Sequence, residues 1–364
     1  MIKRKMIYII TIIIMIMITG VIMSNYFSNK LKPFVDKEGK ILKDSISEKI
    51  FVNINNSKQG MFIKGKNIHN PIILFLHGGM PEYFLTKKFP LDIEDKFTIV
   101  WWDQRGAGLS NNSKKGNDKI TLELLIDDTV SITKYLLTRF NKEKIFLLGH
   151  SGGSFLGIHV VNKNPELYLA YIGISQMSFQ IKSEVIALEY MISEYEKIKD
   201  DKMLNKLRNV IIQEDKELPK DYVQIRDVAM HKIGIGTTHN MKNIINDIFL
   251  ESLLFSEYTI TEKIAFWAGK SKSGISVLWN EMIKKDLSVE IKKFKIPIYF
   301  LHGIYDYTCS YELSKRYFNV IDAPIKGFYT FENSAHSPHF EEPFKLKEIL
   351  LNDILNCHNN MSDK

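Results

Sequence analysis

Cysteine is almost absent from the chain. Only Cys309 and Cys357 occur in 364 residues, and they form no CxxC pair. That excludes a disulfide framework and argues against a zinc knuckle or a redox dithiol. A concentrated charge of one sign is missing too. The net charge of +7 is mild for this length, and lysines are interspersed with acidic residues. No nucleic-acid footprint follows from such a pattern. Internal repeats are lacking, and the one low-complexity tract is a single apolar run near the start. With 45% hydrophobic and 25% charged residues, disordered and fibrous classes are excluded.

The apolar run itself, residues 6–23, reads MIYIITIIIMIMITGVIM behind Lys3-Arg4-Lys5. As a helix rising ~1.5 Å per residue it just covers a ~30 Å hydrocarbon core. The expectation is an N-terminal transmembrane helix, with the remainder on the extracytoplasmic side of the cell membrane. Secretion after signal cleavage is the rival, although the run is long for a signal peptide and no A-x-A-like site follows.

Beyond this segment strands and helices alternate. KIFVNIN and GMFIKG alternate apolar and polar residues, as an antiparallel edge hairpin does. PIILFLHGG, FTIVWWD, KIFLLGH and AYIGIS are short, continuous apolar runs, as expected of strands buried on both faces. TLELLIDDTVSITKYLLTRF lies between two of them with helical spacing. A mostly parallel sheet with right-handed crossovers follows. From about 176 to 290 the pattern becomes helical throughout, before KIPIYFLHGIYD and IKGFYTFENS restore strands and a last amphipathic helix closes the chain. The expected divisions are 1–30 as anchor and stalk start, 31–175 and 291–364 as the two parts of an α/β core, and 176–290 as a helical cap.

Gly149-His150-Ser151-Gly152-Gly153 stands directly between a buried strand and a helix. Exposing a serine hydroxyl at such a junction requires a sharp turn. That turn crowds the positions two before and two after, where glycine has no Cβ to clash. Ser151 then sits at a helix N-terminus, whose free amides favour negative charge. The Gly152 N–H is a candidate oxyanion donor. GHSGGS is not G-x-G-x-x-G, so a dinucleotide fingerprint is excluded here.

HGGM after the third strand, DQRGAGLS after the fourth, GHSGGS after the fifth and HGIYDYTC after the cap form an ordered set. Together they resemble the α/β-hydrolase superfamily, and within it the proline iminopeptidase group of capped serine peptidases, across residues ~45–358. The resemblance implies an α/β-hydrolase fold with helices on both faces of the sheet. It also implies a second oxyanion donor at Gly79, although the usual HGGPG continuation is shortened here to His77-Gly78-Gly79-Met80-Pro81-Glu82. In these hydrolases the order is nucleophile, acid, histidine. Asp306 follows the strand that resumes after the cap and matches the family's acid position; Asp286 and Asp322 are weaker rivals. In FENSAHSPHFEEP, His336 resembles the family's base, and His339, beyond Pro338, is expected to be a rim or helix-start residue.

A Ser151–His336–Asp306 hydrolase is therefore expected, with no metal and no organic cofactor. A serine at the elbow excludes the carboxylate chemistry of epoxide hydrolases and dehalogenases of this fold. The resemblance implies an aminopeptidase acting on a short peptide or other small molecule, with cap glutamates holding the free amine; Glu251 and Glu257 are the candidates. Two other readings stay open: a carboxylic-ester or small acyl hydrolase, and a non-catalytic binding protein on this scaffold.

Overall fold

The computed structural model describes residues 10–12, 15, 18–20, 22–23, 31–111 and 119–364. The sheet begins with the hairpin β1 (Ile46–Ile54) and β2 (Ser57–Gly65). Its two-residue turn, Asn55-Asn56, has φ of 45° and 60°. That is the mirror-image turn whose twist matches paired strands, and asparagine tolerates it. Six further strands follow: β3 (Ile72–Leu76), β4 (Thr98–Trp102), β5 (Ile145–His150), β6 (Tyr168–Ile174), β7 (Ile298–Gly303) and β8 (Lys326–Phe331). Their order is β1-β2-β4-β3-β5-β6-β7-β8. The β1/β2 and β2/β4 pairs are antiparallel and the others parallel. Every residue of β3, β4, β5 and β7 is buried, which explains their unbroken apolar runs.

Helices cover both faces. On one, α1 (Leu122–Phe140) and α2 (Gly152–Lys163) share a core with Tyr317 and Ile321. Thr121 caps α1 by accepting the Leu124 N–H, and Asn141 ends it in the left-handed conformation. Between β6 and β7 come α3 (Gln180–Lys197), α4 (Asp201–Arg208), α5 (Lys220–Lys232), α6 (Leu250–Leu254), α7 (Ile260–Gly269), α8 (Gly274–Met282) and α9 (Leu287–Glu290). The first three enclose their own apolar cluster around Met191, Tyr195 and Tyr222. A buried ion pair, Arg226 Nε to Glu184 Oε2 at 2.6 Å, joins α5 to α3. α10 (Tyr311–Val320), α11 (Pro338–Glu341) and α12 (Pro343–Asn352) complete the chain. Pro343 starts α12, where its missing N–H costs nothing. Leu346, Ile349 and Leu350 of α12 enter the core on the second face.

The expected N-terminal transmembrane helix is corrected. Among the described residues no helix is long and apolar enough to cross a membrane. Residues 6–9, 13–14, 16–17 and 21 of the apolar run lie outside the described residues. Single-pass anchoring, and the extracytoplasmic placement argued from it, lose their support.

Candidate active site

β5 passes directly into α2, and the residue at the junction is bent sharply. Ser151 has φ 55° and ψ −124°, a conformation that costs an L-residue energy and persists only where its surroundings impose it. The flanking glycines show why. A Cβ on Gly149 would lie 2.5 Å from the Gly153 oxygen, and one on Gly153 would lie 2.1 Å from the Leu76 oxygen. The Ser151 N–H is held by the Ile174 oxygen at 3.1 Å. Gly152 is the first residue of α2, so its amide has no acceptor within the helix.

The loop after β3 brings its glycines to the same place. A Cβ on Gly78 would fall 2.8 Å from Ser151 Cβ and 3.1 Å from Oγ, whereas one on Gly79 would meet nothing within 4 Å. Gly78 is thus the glycine of this loop that lies against the serine. His77 braces this loop: its Nε2 accepts the Gln104 N–H at 3.0 Å, and its Nδ1 donates to the Gly78 oxygen at 2.8 Å. Burial lowers its pKa to about 4, so the ring stays neutral.

Asp306 follows β7, and His336 follows β8. His336 Nδ1 lies 3.0 Å from Asp306 Oδ2 and 3.1 Å from Oδ1. The carboxylate also accepts the Cys309 N–H at 2.9 Å and faces His302 Nε2 at 3.2 Å. Burial alone would raise the Asp306 pKa, but His336 and His302 outweigh it and hold it far below the usual range. His336 is lowered by burial, against the upward pull of Asp306. Among the described residues no hydrogen bond joins the Ser151 hydroxyl to His336. The Ser151 side chain instead contacts Cys309, whose buried thiol is pushed well above its ordinary range. The rival acids sit elsewhere: Asp286 caps α9, and Asp322 bridges to Lys293.

Ser151, His336, Gly78 and Gly79 open onto one cavity of about 220 Å³, roofed from the cap by Arg226, Asp227, Met230 and Trp267. Glu251 and Glu257 do not reach it. Glu251 faces Lys88 at 3.6 Å, and Glu257 accepts the Tyr83 hydroxyl. A larger groove of about 1020 Å³ runs between Lys88–Asp92 and α12, and it contains none of the expected site residues.

Three pocket neighbours escape sequence reasoning. His150, Glu82 and His339 are buried together, with donor atoms within 4.8 Å of one another, the one trio among the described residues able to hold a metal ion. Those atoms already engage each other: His150 Nδ1 lies 2.8 Å from Glu82 Oε1 and His339 Nε2 3.3 Å from Glu82 Oε2. His339 does begin a helix, α11, but it is fully buried and not at the rim, because α11 turns inward against Phe75 and His150. Glu82 and His150 are 68 positions apart, and no spacing rule links them.

The family described as "Serine aminopeptidase, S33" matches residues 68–250. The Bacillus subtilis protein named "Probable aminopeptidase YbaC" is 33% identical over 83% of this chain and 94% of its own length. A "Proline iminopeptidase" of Saccharolobus solfataricus is 25% identical over 79% of this chain and 85% of its own. The solved proline iminopeptidase of Mycobacterium smegmatis superposes with a TM-score of 0.59 at 14% identity, over 87% of this chain and 100% of that one, which speaks for the fold alone. A family match spanning half the chain and a relative one-third identical over most of its length agree with the sheet order: this chain belongs to the serine aminopeptidase S33 family and is an α/β-hydrolase enzyme.

Proposed function

We propose that the chain is a serine aminopeptidase that releases the N-terminal residue of short peptides through an acyl-enzyme. The observation that carries this reading is His336, held 3.0 Å from Asp306 and opening with the elbow serine onto one small capped cavity. Asp306 fixes the Nδ1–H tautomer, leaving His336 Nε2 as the base. The Ser151 hydroxyl turns from Cys309 to the imidazole, gives up its proton and attacks the substrate carbonyl. The Gly152 amide and an amide of the His77-Gly78-Gly79 loop, expected at Gly79, hold the oxyanion. His336 then donates its proton to the departing amine. Water, deprotonated by the same imidazole, cleaves the acyl-serine and frees the residue.

The cavity is below the ~300 Å³ at which drug-sized pockets begin, which suits one small acyl group. A free amine needs a carboxylate in the wall. Asp227 on α5 supplies one, whereas Glu251 and Glu257 do not line the cavity. Asp227 Oδ1 is also 2.9 Å from Arg226 Nη1. That pairing favours a second reading, a small carboxylic-ester hydrolase with no amine to bind.

Prolyl and other aminoacyl nitroanilides, assayed beside short-chain nitrophenyl esters with Ser151→Ala as blank, separate the two. Turnover of the anilides by wild type alone supports the aminopeptidase. Cleavage of esters only would retire it in favour of the ester reading.

A further inference from the structure

His150, the residue before the elbow serine, makes a hydrogen bond at each ring nitrogen. Its Nε2 lies 2.7 Å from the backbone oxygen of His336, and a carbonyl can only accept, so Nε2 carries a proton. Its Nδ1 lies 2.8 Å from Glu82 Oε1. Nδ1 then either donates to an ionised Glu82 or accepts from a protonated one, unless a metal ion lies between them. The Gly78 N–H at Oε1 and His339 at Oε2 favour the ionised carboxylate. Both residues are buried, and an isolated charge there would be costly. The stable arrangement is an imidazolium facing a carboxylate. Burial opposes both charges, yet mutual attraction holds Glu82 below its ordinary range and His150 above.

Three separate loops meet at this pair. Glu82 belongs to the segment after the His77-Gly78-Gly79 loop and faces the Gly78 N–H at 3.4 Å. His150 belongs to the elbow. The carbonyl it grips belongs to His336, and Ser175 Oγ donates to the same oxygen at 2.8 Å. The His150 and His336 rings are 4.9 Å apart. We infer that Glu82 and His150 form a positioning pair, which pins the His336 backbone to the elbow and keeps a positive charge beside the His336 ring. This rests on the reading of His336 as the base. If the pair served packing alone, an apolar replacement of similar volume would do as well. The groups facing His336 are Asp306, which favours its protonated form, and His302 and His150, which oppose it. Facing His150 are Glu82, Asp306, His77 and His339, and Arg226, Asp227 and His231 look in from the cap.

The test is the rate at which a fluorophosphonate labels the full-length chain, measured against pH, which needs no knowledge of the substrate. Glu82→Gln removes the charge that keeps His150 protonated. His336 should then hold its proton more tightly, the acid limb of the labelling profile should move to higher pH, and the rate near neutrality should fall about 10²-fold. His150→Gln keeps an amide donor for the His336 carbonyl but no charge. It should move the limb in the same direction with a smaller loss of rate, and the double variant should be no worse than Glu82→Gln, because the two act as one unit. Should Glu82→Gln fail to fold, His150→Gln decides by the limb alone. A folded variant labelled within twofold of wild type with an unmoved limb would overturn the pair. So would one metal ion per chain by elemental analysis together with chelator-sensitive labelling, which gives the trio to a metal. A wild type that does not label brings down the Ser151 reading and this one with it, and the wild-type lane distinguishes that failure.

Discussion

Asp306 holds His336 Nδ1 at 3.0 Å while also accepting the Cys309 N–H, so the carboxylate is fixed from two sides. A charge held this way stays ionised through any pH at which the fold survives. The pH dependence of kcat/KM therefore reports His336. Burial lowers that imidazole below its ordinary value, so the acid limb should lie under about 6.5. The sign follows from the role: the base must be free of its proton, and activity is lost as pH falls through its pKa. Asp306→Asn should keep the fold, misplace the tautomer and cut kcat about 10³–10⁴-fold. An acid limb above 7 in wild type would contradict the assignment.

The two histidines of the last loop should separate cleanly. His336→Ala removes the proposed base and should leave hydrolysis near the Ser151→Ala background. His339 touches neither the serine nor Asp306. Its ring packs 4.0 Å from Phe340 and 4.7 Å from His150, centroid to centroid. His339→Ala should lower the melting temperature, as loss of a buried ring does, and slow turnover by less than about tenfold. The reverse ranking, seen in parallel melting curves and rate assays, would mean that the loop register is misassigned.

How much of this was legible in the sequence depends on how local each signal is. Ser151 could be read because its turn imposes glycines at fixed offsets, and the structure shows the clashes that enforce them. Buried strands could be read because both faces are covered and polarity is excluded. The Glu82–His150 pair could not, since two polar residues far apart in sequence carry no period. Nor could the cap wall: Arg226 and Asp227 look like any charged helix face until α5 is folded over the cavity. The apolar run at 6–23 gave a membrane expectation from composition alone, and among the described residues no helix is long and apolar enough to cross a membrane. The packing of Gly78 against the serine was not legible either, because a resemblance names the loop but not which Cα lies nearest.

The crowding at Gly78 gives a paired prediction. Gly78→Ala would place a methyl group 2.8 Å from Ser151 Cβ, closer than real side chains come. Either the serine or the loop must shift, and a displacement near 1 Å at reacting atoms costs about 10²-fold in rate. Gly79→Ala meets open space and has no left-handed φ, so fold and melting temperature should be unchanged. If both variants lose kcat equally, crowding of the serine is not the reason the first glycine is needed.

Asp103 sets the alkaline side of stability. It is buried at the end of β4, accepts the Leu109 N–H at 2.7 Å, and faces the Tyr258 hydroxyl at 3.4 Å. With no cation in contact among the described residues, its carboxyl is pushed up by burial to about 8, from an ordinary 3.8. The folded chain therefore keeps a proton that the unfolded chain has already lost. Stability from this group is fully present below pH ~3.8 and drains as pH rises toward 8, at up to about 1.4 kcal/mol per pH unit. Glu82 and Asp306 act in the opposite sense: their depressed values confer stability that is present at neutral pH and lost as pH falls through the acid range. Thermal melts of wild type from pH 7 to 9, above the range in which the depressed histidines His77, His336 and His339 titrate, should show a declining melting temperature. Asp103→Asn cannot ionise, keeps an acceptor for Leu109, and should flatten that decline even if it begins from a lower value. A wild-type curve that is flat across the range, or one that falls equally steeply in Asp103→Asn, would show that this carboxyl is ionised and partnered in the fold.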